Sequence, residues 1–194
     1  SVENIHFSGL RDALVAKVGP HRSAAGDVIF GLVWIKALGG DAGETTTGIT
    51  HDAVNDAVFL TGDTFSRKLS HDGKEILVID ALDGLSTLTQ DAAIGFVMKI
   101  NSVDGTGLWC NYGYNAFDAS VDPTGVVRYG NSMTGVVLSG ISGGVYVGGF
   151  FTNEGKLVRG TDGANSVAMS YTPTTSSKFR KRWYVVHVEA DGRI

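Results

Sequence analysis

Residues 93–129 read AIGFVMKINSVDGTGLWCNYGYNAFDASVDPTGVVRY, and this stretch constrains the fold more than any other. The run 94–100 is apolar and rich in residues that favour extended backbone, and Asp104-Gly105-Thr106-Gly107 supplies turn chemistry. Residues 108–117 alternate large side chains before Asp122-Pro123-Thr124-Gly125 turns the chain again. Three consecutive antiparallel strands in a meander are the expectation.

The rest of the chain repeats that grammar. Asp72-Gly73, inside Ser70-His71-Asp72-Gly73-Lys74, is a strong hairpin signal between the runs 65–69 and 75–79. Further strands are expected at 134–138, 145–152, 156–159, 166–171 and 183–189, with Asn153-Glu154-Gly155 closing a hairpin into the strand at 156. Residues 27–38, DVIFGLVWIKAL, predict a strand buried either within one subunit or between subunits. Residues 39–48 read as an exposed loop, and 50–60 as either a helical turn or an irregular lead into a strand at 57–61. One helix is predicted near the start: Ser8 can cap it, Leu10, Leu14, Val15 and Val18 share a helical face, and Gly19-Pro20 stops it.

Ten or more short strands with 27 glycines and only 3 prolines in 194 residues predict an all-β chain. The expected architecture is a single domain, 1–194: a two-sheet antiparallel jelly-roll-like sandwich, with a helical segment at 1–22 packed on or beside it. A hydrophobic content of 43% suffices for one sizeable core. The net charge of −4 gives no broad positive field, so nucleic-acid binding by the whole surface is not expected. No apolar run reaches the roughly 20 residues that span a bilayer, and no insertion is expected. Cys110, the single cysteine, cannot form an internal disulfide. Ser1 fits trimming of an initiator methionine and equally the start of a cut fragment; a complete product is the expectation, and no export signal is read in the sequence given.

The segment 95–130 resembles the middle of concanavalin A-like (laminin G-like) jelly rolls, in which a buried strand, a loop, an aromatic strand and a strand ending in Asp-x-x-Gly follow one another. The closing FRKRWYVVHVEADGRI is similar to the strand of that family that opens on tryptophan and ends in Asp-Gly. Small glycine-rich jelly rolls of this sort also resemble bacteriophage head fibres, tail fibres and decoration proteins. That resemblance implies a virion protein, made in the host cytoplasm, that assembles as a homo-oligomer, often a trimer, with other virion proteins and with cell-surface glycans as partners.

Alternation over 108–117 places Trp109, Asn111, Gly113, Asn115 and Phe117 on one strand face. An aromatic ring flanked by amides suits a sugar, stacking on its apolar face while the amides bond its hydroxyls. Trp109, Asn111, Asn115 and Phe117 are therefore the carbohydrate-binding candidates, although a core tryptophan with turn-capping amides gives the same pattern. Lys178, Arg180, Lys181 and Arg182 form the densest charge cluster, suited to a polyanion or an acidic partner, and equally to guarding a strand edge.

The pairs His51-Asp52 and His71-Asp72 cannot relay a proton on their own, because neighbours on a strand point to opposite faces. Asp80, Asp83, Asp118 and Asp122 offer oxygen donors of the type calcium takes, but no Asp-x-Asp-x-Asp-Gly spacing is present. No metal, no cofactor and no catalytic residue is assigned. The glutamates fall in separate segments and no Gly-x-Ser-x-Gly elbow occurs, so an enzyme is the minor reading. The leading expectation is a non-enzymatic virion fibre or decoration protein. A free-standing lectin is the alternative, and a polysaccharide-cleaving enzyme stands behind it.

Overall fold

The computed structural model describes residues 11–66, 68–78, 93–116, 131–140, 143–152, 154–159, 166–169 and 181–194. In chain order the strands are β1 (Ala13–Arg22), β2 (Val28–Gly40), β3 (Glu44–Asp52), β4 (Ala57–Thr64), β5 (Lys68–His71), β6 (Lys74–Val78) and β7 (Ile94–Asn101). They are followed by β8 (Gly107–Ala116), β9 (Ser132–Leu138), β10 (Val145–Thr152), β11 (Glu154–Arg159), β12 (Ser166–Met169) and β13 (Lys181–Val188). The all-β expectation holds. The described strands form three sheets rather than two: β1-β2-β5-β6, β13-β10-β9, and a six-stranded sheet β12-β11-β8-β7-β4-β3. Every strand pairing within them is antiparallel.

The six-stranded sheet is the centre because it buries both faces. Val58 and Leu60 of β4, and Ile94, Phe96, Met98 and Ile100 of β7, pack toward Val15, Trp34, Leu38 and Leu69 of the four-stranded sheet. The alternate residues Ala57, Phe59 and Val97 pack toward Met133, Val145, Val147 and Val188 of the three-stranded sheet. Period-2 alternation sends successive side chains into different cores, so β4 and β7 carry near-continuous apolar sequence. That accounts for the apolar run at 94–100, on which the expected first strand of the meander rests.

The β5–β6 hairpin turns at Asp72 and Gly73, whose φ values of 53° and 74° match the Asp-Gly signal. β7 and β8 pair as expected across a turn in which Gly105 has φ of 78°. The expected third strand of that meander lies outside the described residues.

Three expectations are corrected. Residues 13–22 form a strand, not a helix, and all ten pair with β2. Branched Val15 and Val18 suit extended backbone, and Pro20 is tolerated because β1 is an edge strand; Ser8 and Leu10 lie outside the described residues. The expected loop at 39–48 contains the end of β2 and the start of β3, and 50–60 is resolved as strand, turn and strand, with Asp52 accepting hydrogen bonds from Val54 N and Asn55 N. Residues 154–159 do not close a hairpin with β10. β10 pairs with β9 and β13, whereas β11 pairs with β8 and β12, so the chain passes from one sheet to another. Of the two readings of 27–38, burial within one chain holds only toward the C-terminal end of β2. Val28, Ile29, Phe30, Leu32 and Val33 are exposed, because beyond Leu38 toward the tip β2 pairs with β1 alone.

Candidate functional site

The four-stranded sheet is fastened to the centre through the β7–β8 turn. Ser102 O accepts hydrogen bonds from Trp34 Nε1 at 3.1 Å and Lys17 Nζ at 2.9 Å, and His71 Nε2 lies 2.7 Å from Gly105 O. Beside this latch, a cleft of about 410 Å³ is lined by His71, Ile76, Met98, Gly107 and Cys110 among others. Its buried imidazole and its thiol are poorly suited to chemistry. Burial lowers the His71 pKa and pushes the Cys110 thiol up to about 12, so the thiolate nucleophile is scarce at neutral pH.

Other buried acids are committed to structure. Glu44 accepts hydrogen bonds from Thr64 Oγ1, Ser66 Oγ and Gly40 N, and desolvation raises its pKa despite those donors. Asp63, raised by the same cause, accepts from Ser132 Oγ at 2.9 Å and so ties β4 to β9. Among the described residues no group of three or more His, Cys, Asp or Glu side chains is placed to hold a metal ion.

Trp109 and Asn111 do share a face, which points toward the C-terminal turn. Trp109 packs against Phe59 with ring centroids 5.9 Å apart, and its Nε1 donates to Ala190 O at 3.1 Å. Gly192, with φ of 88°, brings its backbone over the indole; a side chain there would crowd the ring. Asn111 is fully buried and donates from Nδ2 to Gly192 O at 2.7 Å. The ring-and-amide pattern thus clamps the chain's end. The side chain of Asn115, and Phe117 altogether, lie outside the described residues, as do Lys178 and Arg180. Lys181 and Arg182 open β13, and Arg182 is half-buried. On β3, His51 is exposed and Asp52 buried, the opposite facing expected of strand neighbours; His71 is buried at the end of β5 and Asp72 is exposed in the turn that follows. Asp80, Asp83, Asp118 and Asp122 lie outside the described residues.

A second aromatic surface, which the sequence reading did not single out, lies on the outer face of the three-stranded sheet. Cross-strand partners share a face. The register therefore builds three outward rungs: Trp183 beside Phe150; Val185 beside Gly148 and Gly135; His187 beside Tyr146 and Val137. In the first rung the rings meet edge-on, centroids 5.6 Å apart, and in the third Tyr146 and His187 are 5.0 Å apart and tilted. Trp183 is 72% exposed and Val185 74%.

The middle rung is the telling one. A Cβ placed on Gly148 or on Gly135 would meet nothing within 4 Å, so these glycines leave open space between two aromatic walls. Phe150 and Tyr146 stand four residues apart on β10, about 13 Å along the strand, which sets the spacing of the two walls. The result is a shallow trough with a backbone floor, ring faces on either side and the polar ends of Tyr146 and His187 at one wall. Thr134 Oγ1, donating to Gly148 O at 3.4 Å, adds a hydroxyl at its margin. The sequence held one half of this signal, the alternation of Trp183, Val185 and His187. The other half, which residues stand beside them, depends on register.

Compared with protein-family models, with curated proteins and with solved structures, the chain matches none of them.

Proposed function

We propose that this protein is a non-enzymatic structural component of an assembly, of the virion fibre or decoration kind, that reads a glycan through the outer face of its three-stranded sheet. The observation that supports this reading is the glycine-floored trough between the Trp183–Phe150 and Tyr146–His187 rungs. A pyranose has an apolar face that stacks on an aromatic ring and a rim of hydroxyls that need hydrogen-bonding partners, and the trough offers both. Burying Trp183 on binding removes a large exposed apolar surface from water, an advantage the folded chain alone leaves unused. The functional role thus moves from Trp109, which is occupied by the C-terminal turn, to Trp183.

The test is a glycan array followed by calorimetry on the full chain. Wild type is expected to bind at least one glycan class, and Trp183→Ala to lose at least tenfold in affinity while Asn111→Asp, on the clamp, loses stability instead. Absence of binding to any glycan, or equal binding by Trp183→Ala, would remove this site from the reading.

A further inference from the structure

The β5–β6 hairpin is lightly attached to its neighbours. β5 meets β2 through three partners, His71 with Leu38, Ser70 with Gly39 and Leu69 with Gly40, and β6 ends the sheet. The cleft of about 410 Å³ is lined by Glu75 and Ile76 of β6 and by Leu108 and Cys110 of β8, so it lies between those strands. Polar contact between the hairpin and the β7–β8 turn runs through His71, whose Nε2 lies 2.7 Å from Gly105 O.

That contact fixes the state of the ring. A carbonyl oxygen only accepts, so Nε2 carries the hydrogen and Nδ1 is bare. Nδ1 is buried with no hydrogen-bond partner, and His71 as a whole is 3% exposed. Water has little room to enter: a Cβ on Gly107 would lie 3.1 Å from His71 Cδ2 and 2.7 Å from Met98 Cε. Of the backbone oxygens that favour a charged ring, Gly105 O holds Nε2 and Ala37 O already accepts from Asp72 N at 3.0 Å. The charges around the ring largely offset one another. Asp72 is paired with Lys36 at 2.9 Å, Lys74 and Glu75 both line the cleft, and Asp104, in the turn, accepts from Thr106 N. A second proton on the ring therefore makes a buried cation with no bonded counter-charge, which water outside the fold would solvate better.

We infer that the β5–β6 hairpin is an acid-opened flap: a proton on His71 Nδ1 releases it from the β7–β8 turn and uncovers Cys110 in the cleft behind. Partial opening of this kind is a local event, since few ladder pairs tie the hairpin to β2. Acid acts in the opposite sense on two other buried groups, because Glu44 and Asp63 hold protons more tightly when folded. The flap is independent of the glycan trough, which lies on a different sheet.

Hydrogen exchange on the full chain from pH 7.5 to pH 5, corrected for the intrinsic rate at each pH, tests it. With the opened ring titrating at the ordinary value of about 6.5, opening gains up to about tenfold per pH unit below it. Protection over residues 68–78 is expected to fall at least tenfold by pH 5, with β9, β10 and β13 unchanged. Labelling of Cys110 by 4,4′-dithiodipyridine, relative to the urea-unfolded chain at the same pH, is expected to quicken by the same factor. His71→Gln keeps an Nε2 donor for Gly105 O and cannot titrate, so it should abolish both changes. Equal protection at the two pH values, loosening spread over the whole chain, or a fall that persists in His71→Gln would overturn the inference. Should His71→Gln fail to fold, the wild-type profile decides: onset near pH 6.5 belongs to a histidine, whereas onset near pH 4 belongs to a carboxylate and overturns the inference.

Discussion

The two outer faces of the molecule are built from the same kind of strand, yet they present different surfaces. On the four-stranded sheet, every outward position of the β1–β2 hairpin short of Arg22 is apolar and most are aliphatic. On the three-stranded sheet, the outward positions alternate aromatic rungs with a glycine gap, and polar ring ends lie at one side. An aliphatic plane gains by covering area and has no feature that orients a small ligand. A few rings around a gap gain little from area but define a pose for one ring-shaped group. Exposed hydrophobicity alone therefore does not distinguish an assembly surface from a ligand surface; the spacing of side chains does.

The largest expected effects come from breaking the centre on one side at a time. Phe96→Ala hollows the core under the four-stranded sheet and Phe59→Ala the core under the three-stranded sheet, and both rings are fully buried. Each should cost about 3–5 kcal/mol in denaturant melts. Phe59→Ala should in addition loosen the Trp109 clamp, seen as a shift in tryptophan fluorescence that Phe96→Ala does not give.

A smaller effect separates the sides by pH. Burial raises the Asp63 pKa beneath the three-stranded sheet, so between its ordinary and raised values the folded state holds more protons than the unfolded. Its contribution is complete below the ordinary carboxylate value and is lost as pH rises through the raised one. Burial lowers the His71 pKa beneath the four-stranded sheet, so there the unfolded state holds more protons. That contribution is complete above about pH 6.5, the ordinary histidine value, and is lost as pH falls through the depressed one. Melting temperature against pH should therefore slope in opposite senses in the two windows, with Asp63→Asn flattening the acidic slope and His71→Gln the near-neutral one.

Gly148→Val sharpens the comparison without touching either core. The added side chain has free space beside Val185 and suits extended backbone, so stability should change by no more than about 0.5 kcal/mol. Glycan affinity should nevertheless fall tenfold or more, because the floor of the trough is filled. Least of all, Asp72→Asn removes the 2.9 Å ion pair with Lys36 while keeping a side chain that tolerates positive φ. Asp72 is well exposed, so thermal melts should move by under about 0.5 kcal/mol, and less at high salt.

Particular residues show what was legible. Asp72-Gly73 carries its turn in its own chemistry, since positive φ at both positions is cheap only for such residues. The runs of β7, β10 and β13 announced themselves by composition. Leu14 and Val18 misled, because a spacing of four satisfies a helix face and equally an outward strand face, and only pairing with β2 decides between them. Trp109 misled differently: the residues that occupy its surroundings, Ala190 and Gly192, lie some eighty positions away.

What the sequence by itself determined is local: extended backbone where branched and aromatic residues alternate, turns where Asp, Asn and Gly cluster, and a single all-β class from their sum. Tertiary structure alone decided which strands are neighbours, that three sheets share one doubly buried centre, and which tryptophan faces water. The physical reason is that turn and strand preferences act over a few bonds, whereas register and layer order are set by burial among residues far apart in the chain, which no short stretch encodes alone.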